Sequence, residues 1–241
     1  MQAPDPTRFI LIGTSHPGNV GAAARAIKVM GFSELWLVAP RDPEAPRRDE
    51  AIAMASGATD VLAATRVVTS LGEALEGVDT LCATAMTPRD FGPPTFAPRA
   101  LFATLAPTPH RVAFLFGSER FGLANEDVYR CHACVSIPTR ADYGSLNLAQ
   151  AVQLIAYDWR EALGGFAVEP RTADPALADA AAVQGLLEHW ERTLVEIGFL
   201  DPAAPKKLRP RLNQLLNRAR LSREEVDILR GIARFVGRPR R

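Results

Sequence analysis

The amino-acid sequence predicts an α/β fold, in which a mostly parallel sheet has helices on both faces and a small, basic, all-helical domain follows. Short apolar runs alternate with helical patterns up to about residue 165, the segment GGFAVEPRTADP loses this periodicity, and only helical patterns come after it. Strands that are apolar throughout are typical of parallel sheets buried on both faces. We therefore expect an α/β domain over residues 1–165, a linker over 166–177 and a helical extension over 178–241.

Six apolar runs rich in β-branched and aromatic residues are predicted to be strands: Phe9–Ile12, Leu35–Ala39, Arg66–Thr69, Thr80–Ala83, Arg111–Phe116 and Cys134–Ile137. Helical patterns lie between most of them, at Val20–Met30, Ala51–Ala55, Leu71–Leu75, Arg99–Leu105, Glu126–Arg130 and Leu146–Leu163. The extension is predicted to hold three helices, Ala176–Ile197, Lys206–Arg218 and Ser222–Val236, the last with a Ser222/Glu225 capping box. Trp159 and Trp190 follow the apolar periodicity, so we expect them in cores.

Composition indicates a globular cytoplasmic protein. The 241 residues are 47% hydrophobic and 23% charged, which is enough for one α/β core and an appendage. Three cysteines, Cys82, Cys131 and Cys134, are too few for a disulfide framework and suit a reducing compartment. The start, MQAPDPTRF, lacks the features of a signal peptide, and no apolar run approaches the ~20 residues that span a bilayer, so we expect no membrane partner.

The formal net charge of +1 conceals an uneven distribution. Residues 206–241 contain 12 basic and three acidic residues, a local charge of about +9, and the rest of the chain is about −8. An acidic body with a basic segment favours a polyanionic partner that contacts this segment. A solvated helical face with a basic terminus would produce the same pattern and is the alternative.

Two nucleotide-binding motifs and a metal site are disfavoured. Gly13 and Gly18 have P-loop spacing, but Asn19 and Val20 stand where Lys and Ser/Thr are needed, and no GxGxxG follows the first strand. Nucleoside-triphosphate chemistry and nicotinamide-dependent oxidoreduction are therefore disfavoured. The single CxxC, CHAC, has no second ligand pair and runs into a strand, so we expect no metal.

Three stretches join a predicted strand to a helix through polar, glycine-containing turns: FILIGTSHPGNVGAAARAIKVMGF, LFGSERFGLANED and IPTRADYGSLNLAQAVQLIAYDW. In the first, Asn19 is expected to be an N-cap, and Arg25 shares a helical stripe with Ala22 and Val29. In the second, Asn125 is expected to cap a helix. Because parallel sheets bind ligands at the carboxyl edge, the three turns are predicted to build one pocket.

In this order the three stretches resemble the motifs of the SPOUT class of RNA methyltransferases, and most closely its TrmH-like branch of ribose 2′-O-methyltransferases. Within that branch, these segments, MASGATDVL and the tail LNQLLNRARLSREEVDILRGI are similar to those of enzymes that methylate the ribose at position 32 of the tRNA anticodon loop. The resemblance covers nearly the whole chain. It implies a SPOUT α/β-knot with a deep C-terminal trefoil knot, S-adenosylmethionine as cofactor, tRNA as substrate and a homodimer.

The resemblance also implies the site residues. The catalytic set would be Arg25, Asn19, Glu119, Tyr143 and Asn147. The cofactor pocket would be formed by Thr84, Ala85, Met86, Leu115, Gly117, Ile137, Ser145, Leu146 and Asn147. Two departures from the family pattern, the longer route from Ala85 to Arg89 and Gly144 in place of a serine, are expected to alter the rim of this pocket.

Arg25 is expected to reach the pocket of the partner subunit, so that the dimer shares its sites. Because the pKa of arginine, above ~12, makes it a poor base, we interpret Arg25 as a bidentate phosphate clamp that orients the ribose. The other catalytic residues would be positioning groups, with Tyr143 the candidate proton acceptor.

Basic residues are expected to grip tRNA phosphates: Arg8, Arg47, Arg48, Arg140, Lys206, Lys207, Arg209, Arg211, Arg218 and Arg220. Two alternatives stay open. One is a 2′-O-methyltransferase of ribosomal RNA or of another tRNA position, and the tail sequence disfavours it. The other is a non-catalytic RNA-binding dimer, which the intact Arg25, Gly117 and Ser145-Leu146-Asn147 disfavour.

Overall fold

A seven-stranded sheet forms the centre of the first of two structural units, and every pair of neighbouring strands in it is parallel. The computed structural model describes residues 5–85, 87–169 and 175–237, and it divides at residues 167/168. The strands are β1 Asp5–Ile12, β2 Phe32–Val38, β3 Arg66–Val68, β4 Thr80–Thr84, β5 Thr95–Phe96, β6 Val112–Phe116 and β7 Ala133–Val135. Their order across the sheet is β3-β2-β1-β6-β4-β7-β5, which confirms the predicted parallel α/β architecture.

Helices cover both faces of this sheet: α1 Pro17–Val29, α2 Asp49–Ala55, α3 Thr59–Ala64, α4 Leu71–Ala74, α5 Pro98–Leu105, α6 Asn125–Tyr129 and α7 Leu148–Ala162. Because side chains alternate along a strand, Phe9 and Leu11 of β1 face one layer and Ile10 faces the other. Buried residues of α1, α2, α3, α5 and α7 join the first layer, and those of α4 and α6 join the second.

Three elements of the first unit were not predicted: β5, α3 and a short 3-10 helix, Ala45–Arg47. Strand β5 has only two residues and pairs with β7. Cys134 N donates to the carbonyl oxygen of Pro94, just before β5, and Ser136 N donates to that of Phe96, both at 2.9 Å. Helix α3 has six residues, of which Val61 and Leu62 are buried. Elements this short carry too few apolar positions to establish a period.

The strand order reverses between β1 and β6: successive strands are added on one side of β1 up to β3, and the later strands lie on its other side. Strands β2 and β3 lie on one side of β1, whereas β6 and the remaining strands lie on the other. The turns after Ile12 and Phe116 therefore leave the same carboxyl edge next to each other. Such a reversal point is where open parallel sheets bind ligands.

Arg160, near the end of α7, fastens that end to the end of α1. Its Nε donates to the carbonyl oxygen of Met30 at 2.7 Å. Its guanidinium carbon lies 4.4 Å from the ring centroid of Phe32 and 5.1 Å from that of Phe166. The neighbouring Trp159 is buried, as predicted, and its indole N–H donates to the hydroxyl of Thr7 at 2.8 Å.

The second unit contains three described helices, α8 Ala180–Glu196, α9 Leu208–Ala219 and α10 Arg223–Val236. They enclose a small core of Leu186, Leu187, Leu216 and Val226, against which the predicted core residue Trp190 packs. The predicted capping box is confirmed: Ser222 N donates to a Glu225 carboxylate oxygen at 2.6 Å and Glu225 N donates to Ser222 Oγ at 3.2 Å.

The trefoil knot stays a prediction from the family resemblance. Among the described residues, no helix has the length and apolar character needed to cross a membrane.

Candidate active site

A cavity of about 330 Å³ opens at the carboxyl edge of the sheet, beside the ends of β4, β6 and β7. Six of the residues predicted to bind the cofactor line it: Thr84, Ala85, Gly117, Ile137, Ser145 and Leu146. Its other walls include residues that the sequence did not single out for the pocket, among them Thr87, Phe116, Ser118, Arg120, Phe121, Leu123, Val135 and Thr139. Ligand pockets in proteins start at about 300 Å³, so the cavity accommodates a small organic molecule.

Two of the predicted cofactor residues that the structure describes, Leu115 and Asn147, do not line this cavity. The Leu115 side chain is fully buried in the sheet core. Its carbonyl oxygen accepts a hydrogen bond from the hydroxyl of the cavity residue Thr84 at 2.6 Å. Asn147 lies at the start of α7, where it has a different set of partners. Met86 lies outside the described residues.

Gly117 begins a tight turn at the end of β6. A Cβ atom at this position would lie 2.0 Å from the carbonyl carbon of Gly122 and 2.2 Å from the nitrogen of Leu123. The turn is closed by backbone hydrogen bonds from Ser118 N to Gly122 O at 3.2 Å and from Gly122 N to Ser118 O at 2.9 Å. Gly122 has φ +69°, which favours glycine. No side chain fits at residue 117, so the turn holds Glu119 in one place.

The Glu119 carboxylate joins the turn after β6 to the turn after β1. One oxygen accepts from Thr14 Oγ1 at 2.8 Å and from Asn19 Nδ2 at 2.8 Å. The other accepts from the backbone N–H and the hydroxyl of Ser15, both at 3.0 Å. Four donors therefore hold one half-buried carboxylate. These hydrogen bonds join the turn after β1 to the turn after β6 at the reversal point of the sheet.

These donors also set the pKa of Glu119. Partial burial raises the pKa, but the hydrogen bonds from Asn19, from the backbone of Glu119 itself, from Thr14 and from Ser15 outweigh it and lower the pKa to about 2. The carboxylate is therefore ionised at neutral pH. A general base needs a pKa near the working pH, so Glu119 is suited to organising the turns rather than to accepting a proton.

Asn19 and Asn147 extend this network to the third turn. Asn147 Nδ2 donates to Asn19 Oδ1 at 3.0 Å, and Asn147 Oδ1 caps α7 by accepting from the Ala149 N–H at 2.9 Å. The prediction that Asn19 is an N-cap is wrong, because α1 begins at Pro17 and Asn19 lies in its first turn. Proline at a helix start sets the entry, which frees the Asn19 amide to bridge Glu119 and Asn147. The predicted cap at Asn125 is also wrong, because it is the first residue of α6 and caps nothing.

Arg25 and Tyr143 do not join the network. Arg25 is exposed on α1, and within the described part of the chain it has no hydrogen-bond or ion-pair partner. Tyr143 is 75% exposed on the turn before Gly144, next to cavity residues. The structure thus brings together Asn19, Glu119 and Asn147 and leaves the other two candidate catalytic side chains free.

The predicted phosphate-binding role of Arg8 is wrong. Arg8 is 4% exposed, its Nε pairs with Glu34 at 3.0 Å, and its Nη1 donates to the carbonyl oxygens of Ala74 at 2.7 Å and Glu76 at 3.0 Å. Its guanidinium carbon also lies 4.3 Å from the ring centroid of Trp36. A buried guanidinium with these partners is structural and cannot reach a phosphate.

The other predicted phosphate ligands are exposed, but they differ in their partners. Three in the first unit have a carboxylate within 2.8 Å: Arg47 with Glu44, Arg48 with Asp42 and Arg140 with Asp142. In the second unit Arg209 pairs with Glu191 at 3.3 Å. Five others are exposed and have no ionic partner among the described residues: Lys206, Lys207, Arg211, Arg218 and Arg220.

The three cysteines are buried, Cys82 in the first layer of the core and Cys131 and Cys134 in the second. Burial raises the pKa of Cys82 and Cys131 to about 12, which keeps both in the thiol form at neutral pH. His132 Nδ1 accepts from the Leu81 N–H at 3.0 Å. No group of three metal-ligating side chains is present within residues 5–85, 87–169 and 175–237.

A parallel sheet with a cavity at its carboxyl edge, three converging polar turns and a basic helical extension defines a class of RNA-modifying methylases. Residues 6–157 match the SpoU rRNA Methylase family, and residues 181–241 match the C-terminal domain of the tRNA methyltransferase TrmJ. The chain belongs to the SpoU methylase family and is a methyltransferase.

Similar proteins agree with this family membership. The tRNA (cytidine/uridine/adenosine-2′-O-)-methyltransferase TrmJ of Pseudomonas aeruginosa is 42% identical over 95% of this chain and 92% of its own length. The crystal structure of TrmJ from Z. mobilis ZM4 superposes with a TM-score of 0.83 and 30% identity over 96% of this chain and 99% of that one. An AdoMet-bound rRNA methyltransferase from Sinorhizobium meliloti shares the fold, with a TM-score of 0.54 and 22% identity over 68% of this chain and 62% of its own.

Proposed function

We propose that this protein transfers a methyl group from S-adenosylmethionine to the 2′-hydroxyl of the pyrimidine ribose at position 32 of the tRNA anticodon loop, as a homodimer with shared sites. The observation that carries the proposal is the Glu119–Asn19–Asn147 network beside the cavity, in a chain 42% identical to a tRNA 2′-O-methyltransferase over 95% of its length.

The cavity residues fit the cofactor in size and chemistry. Thr84 and Ala85 after β4, Gly117 after β6 and Ile137 after β7 offer strand-end backbone groups together with apolar walls. Ser145 and Leu146 close the cavity from the turn before α7. Such a mixture suits an adenosine moiety, which needs apolar contact with a few polar groups for orientation. S-adenosylmethionine held by these residues would supply an activated methyl group on a positively charged sulfur.

The residues of this chain then position the ribose and manage its proton. The ionised Glu119 joins the first two turns, and Asn19 connects them to Asn147 on the third. Arg25 has no partner among the described residues, so its guanidinium is available for bidentate contact with a substrate phosphate, and its charge lowers the pKa of a nearby hydroxyl. Tyr143 is the candidate proton acceptor because it is exposed beside the cavity and Glu119 is too weak a base.

The proposed dimer would bury the exposed stripe of α1. Ala22, Arg25 and Val29 lie on this stripe, and Val29 is 59% exposed. On α7, which packs against α1, Leu154 and Tyr157 are 42% and 46% exposed. Such a surface favours contact with a second copy, which would carry Arg25 toward the partner's cavity.

The basic helical unit is proposed to hold the tRNA body. Its Lys206, Lys207, Arg211, Arg218 and Arg220 have no ionic partner in the part of the chain that the structure describes, so they are free to replace counterions on phosphates. The paired Arg47, Arg48 and Arg140 would each have to leave a carboxylate first, so we expect them to contribute less.

The test is transfer of labelled methyl from S-adenosylmethionine to an unmodified tRNA transcript, run beside the same transcript with 2′-deoxyribose at position 32. We expect label on the first transcript and none on the second. Label on both would move the target to another nucleotide, and label on neither would refute the proposed reaction on that tRNA. Transcripts with cytidine, uridine or adenosine at position 32 then measure the base preference.

A further inference from the structure

Phe121 is an exposed aromatic residue on the turn that carries Glu119. It is 78% exposed, and Arg120 next to it is exposed as well. The guanidinium carbon of Arg120 lies 5.2 Å from the Phe121 ring centroid, and Arg120 has no hydrogen bond or ion pair with any described residue. Both side chains line the cavity.

This ring is exposed on a rigid support. The turn is closed by its two backbone hydrogen bonds between Ser118 and Gly122, and Phe121 N donates to Ser118 Oγ at 3.3 Å. Glu119 is fixed by Thr14, Ser15 and Asn19. A mobile loop would let the ring fold onto apolar surface, but this turn holds it in solvent at the mouth of the cavity.

The backbone of Phe121 also lies close to that of Glu119. Two residues of extended chain span at most about 7 Å, so the Cα atoms of Phe121 and Glu119 are within about one nucleotide step of each other. An exposed aromatic face with a free guanidinium beside it is the combination that proteins use for unstacked nucleotides, the ring for the base and the cation for the phosphate.

We propose that Phe121 is a positioning residue that stacks on a nucleobase at, or one nucleotide from, the methylated ribose, while Arg120 contacts the adjoining phosphate. The inference rests on the proposed function for the identity of the RNA. It adds an RNA contact at the edge of the cavity, and it gives the turn after β6 two tasks: Glu119 joins this turn to the turn after β1, and Phe121 with Arg120 holds the substrate.

The test uses tRNA transcripts that carry 2-aminopurine at position 31, 32 or 33, bound to the full-length protein without cofactor. We expect fluorescence quenching at one of the three positions with the wild type and with Phe121→Tyr, and its loss with Phe121→Leu. In steady-state assays Phe121→Leu should raise the KM for tRNA by about tenfold and leave kcat within about twofold, whereas Phe121→Tyr should keep both near the wild-type values.

The matched control is Phe166→Leu. Phe166 is 59% exposed and lies 5.1 Å from the Arg160 guanidinium carbon, so it has the same chemistry, but it contacts Gly31 beyond the far end of α1. A 13-residue helix separates the two places by about 18 Å. This variant should behave as the wild type does.

Quenching that survives Phe121→Leu at every position, or an unchanged KM for tRNA, would overturn the inference while methyl transfer by the wild type still supports the proposed reaction. Quenching that depends on Phe121 in a protein that transfers no methyl would support the stacking contact and refute the reaction.

Discussion

Asn147 and Asn19 are 128 positions apart in the sequence, and the amide nitrogen of the first donates to the amide oxygen of the second at 3.0 Å. This bond joins the starts of α1 and α7, and Glu119 holds the other end of the Asn19 amide at 2.8 Å. Each asparagine amide thus uses both of its polar atoms, one toward each neighbour. The site is a chain of fixed contacts from one helix start to another.

Replacing Asn147 should weaken both the helix and the site. In Asn147→Ala, α7 loses its N-cap, which costs about 1 kcal/mol of unfolding free energy, and Asn19 loses a donor. Urea unfolding measures the first effect and methyl transfer the second. The control is Asn125→Ala, since Asn125 makes no capping bond, and it should change stability by less than ~0.5 kcal/mol. Equal stability of the two variants would contradict the capping role.

Glu119 should make stability depend on acid pH. Its pKa is about 2 in the folded protein and near 4.5 when exposed, so the unfolded state takes up the proton first as the pH falls. Its contribution, about 2 kcal/mol after allowance for solvent screening, is complete above about pH 5 and disappears as the pH falls toward 2. Urea unfolding of the wild type and Glu119→Gln should differ at pH 7, and the difference should shrink below about pH 5 and vanish as the pH approaches 2. A difference that is constant with pH would show that the carboxylate is not held as described.

Arg25→Lys should lose most turnover and keep cofactor binding. Lysine keeps the charge but loses the planar pair of donors, so a bidentate phosphate contact becomes a point contact. Calorimetric titration with S-adenosylmethionine and single-turnover methyl transfer separate the two effects. Equal turnover would remove Arg25 from the chemistry.

Mixed dimers test whether Arg25 acts in the partner's site. Co-expressed Arg25→Ala and Glu119→Gln subunits form heterodimers with one intact site if the sites are shared, and with none if each subunit acts alone. A 1:1 mixture should then recover about a quarter of wild-type activity. No recovery from mixed dimers would assign Arg25 to its own subunit.

Arg8→Gln should destabilise the first unit without weakening tRNA binding. It leaves Glu34 without its partner, and it removes the donor from the buried carbonyl oxygen of Ala74 and from the partly buried one of Glu76, at a cost of about 2–4 kcal/mol. Thermal unfolding and filter binding at a temperature where the variant is folded measure the two properties. The exposed pair of Arg47 and Glu44 supplies the control, because Arg47→Gln should change stability by less than ~0.5 kcal/mol.

Neutralising the free cations of the second unit should weaken tRNA binding and its salt dependence together. A variant with glutamine at Lys206, Lys207, Arg211, Arg218 and Arg220 should show a log–log salt slope that is smaller by about 0.9 for each lost phosphate contact. The control neutralises Arg47 and Arg48, whose guanidiniums already have carboxylate partners. An unchanged affinity and slope would refute the assignment of the extension to tRNA.

The sequence predicted the parts of the fold that local patterns determine. Apolar runs located six of the seven strands, and turn residues located all three loops of the site, because both depend on neighbouring residues. The two-residue β5 is a strand only because it pairs with β7, which lies elsewhere in the chain, so no local pattern predicted it.

Individual side chains were harder to predict. Asn19 was expected to cap α1, but its actual partners lie 100 and 128 positions away. Arg8 was expected in solvent, but Glu34 on the neighbouring strand pairs with it in the folded sheet. In both cases the deciding contact is tertiary. Arg8 directly precedes the apolar run Phe9–Ile12, and this position was the signal in the sequence that its side chain is buried.

The hydrogen bond from Arg160 to the carbonyl oxygen of Met30 limits how α1 and α7 can move relative to each other. This bond connects the C-terminal ends of α1 and α7, and the Asn19–Asn147 bond connects their N-terminal ends. The two helices are therefore hydrogen-bonded to each other at both ends. Such a frame resists both sliding and splaying of the two helices. We therefore expect any adjustment that admits and releases a nucleic acid to occur in the turns rather than in the spacing of these two helix starts.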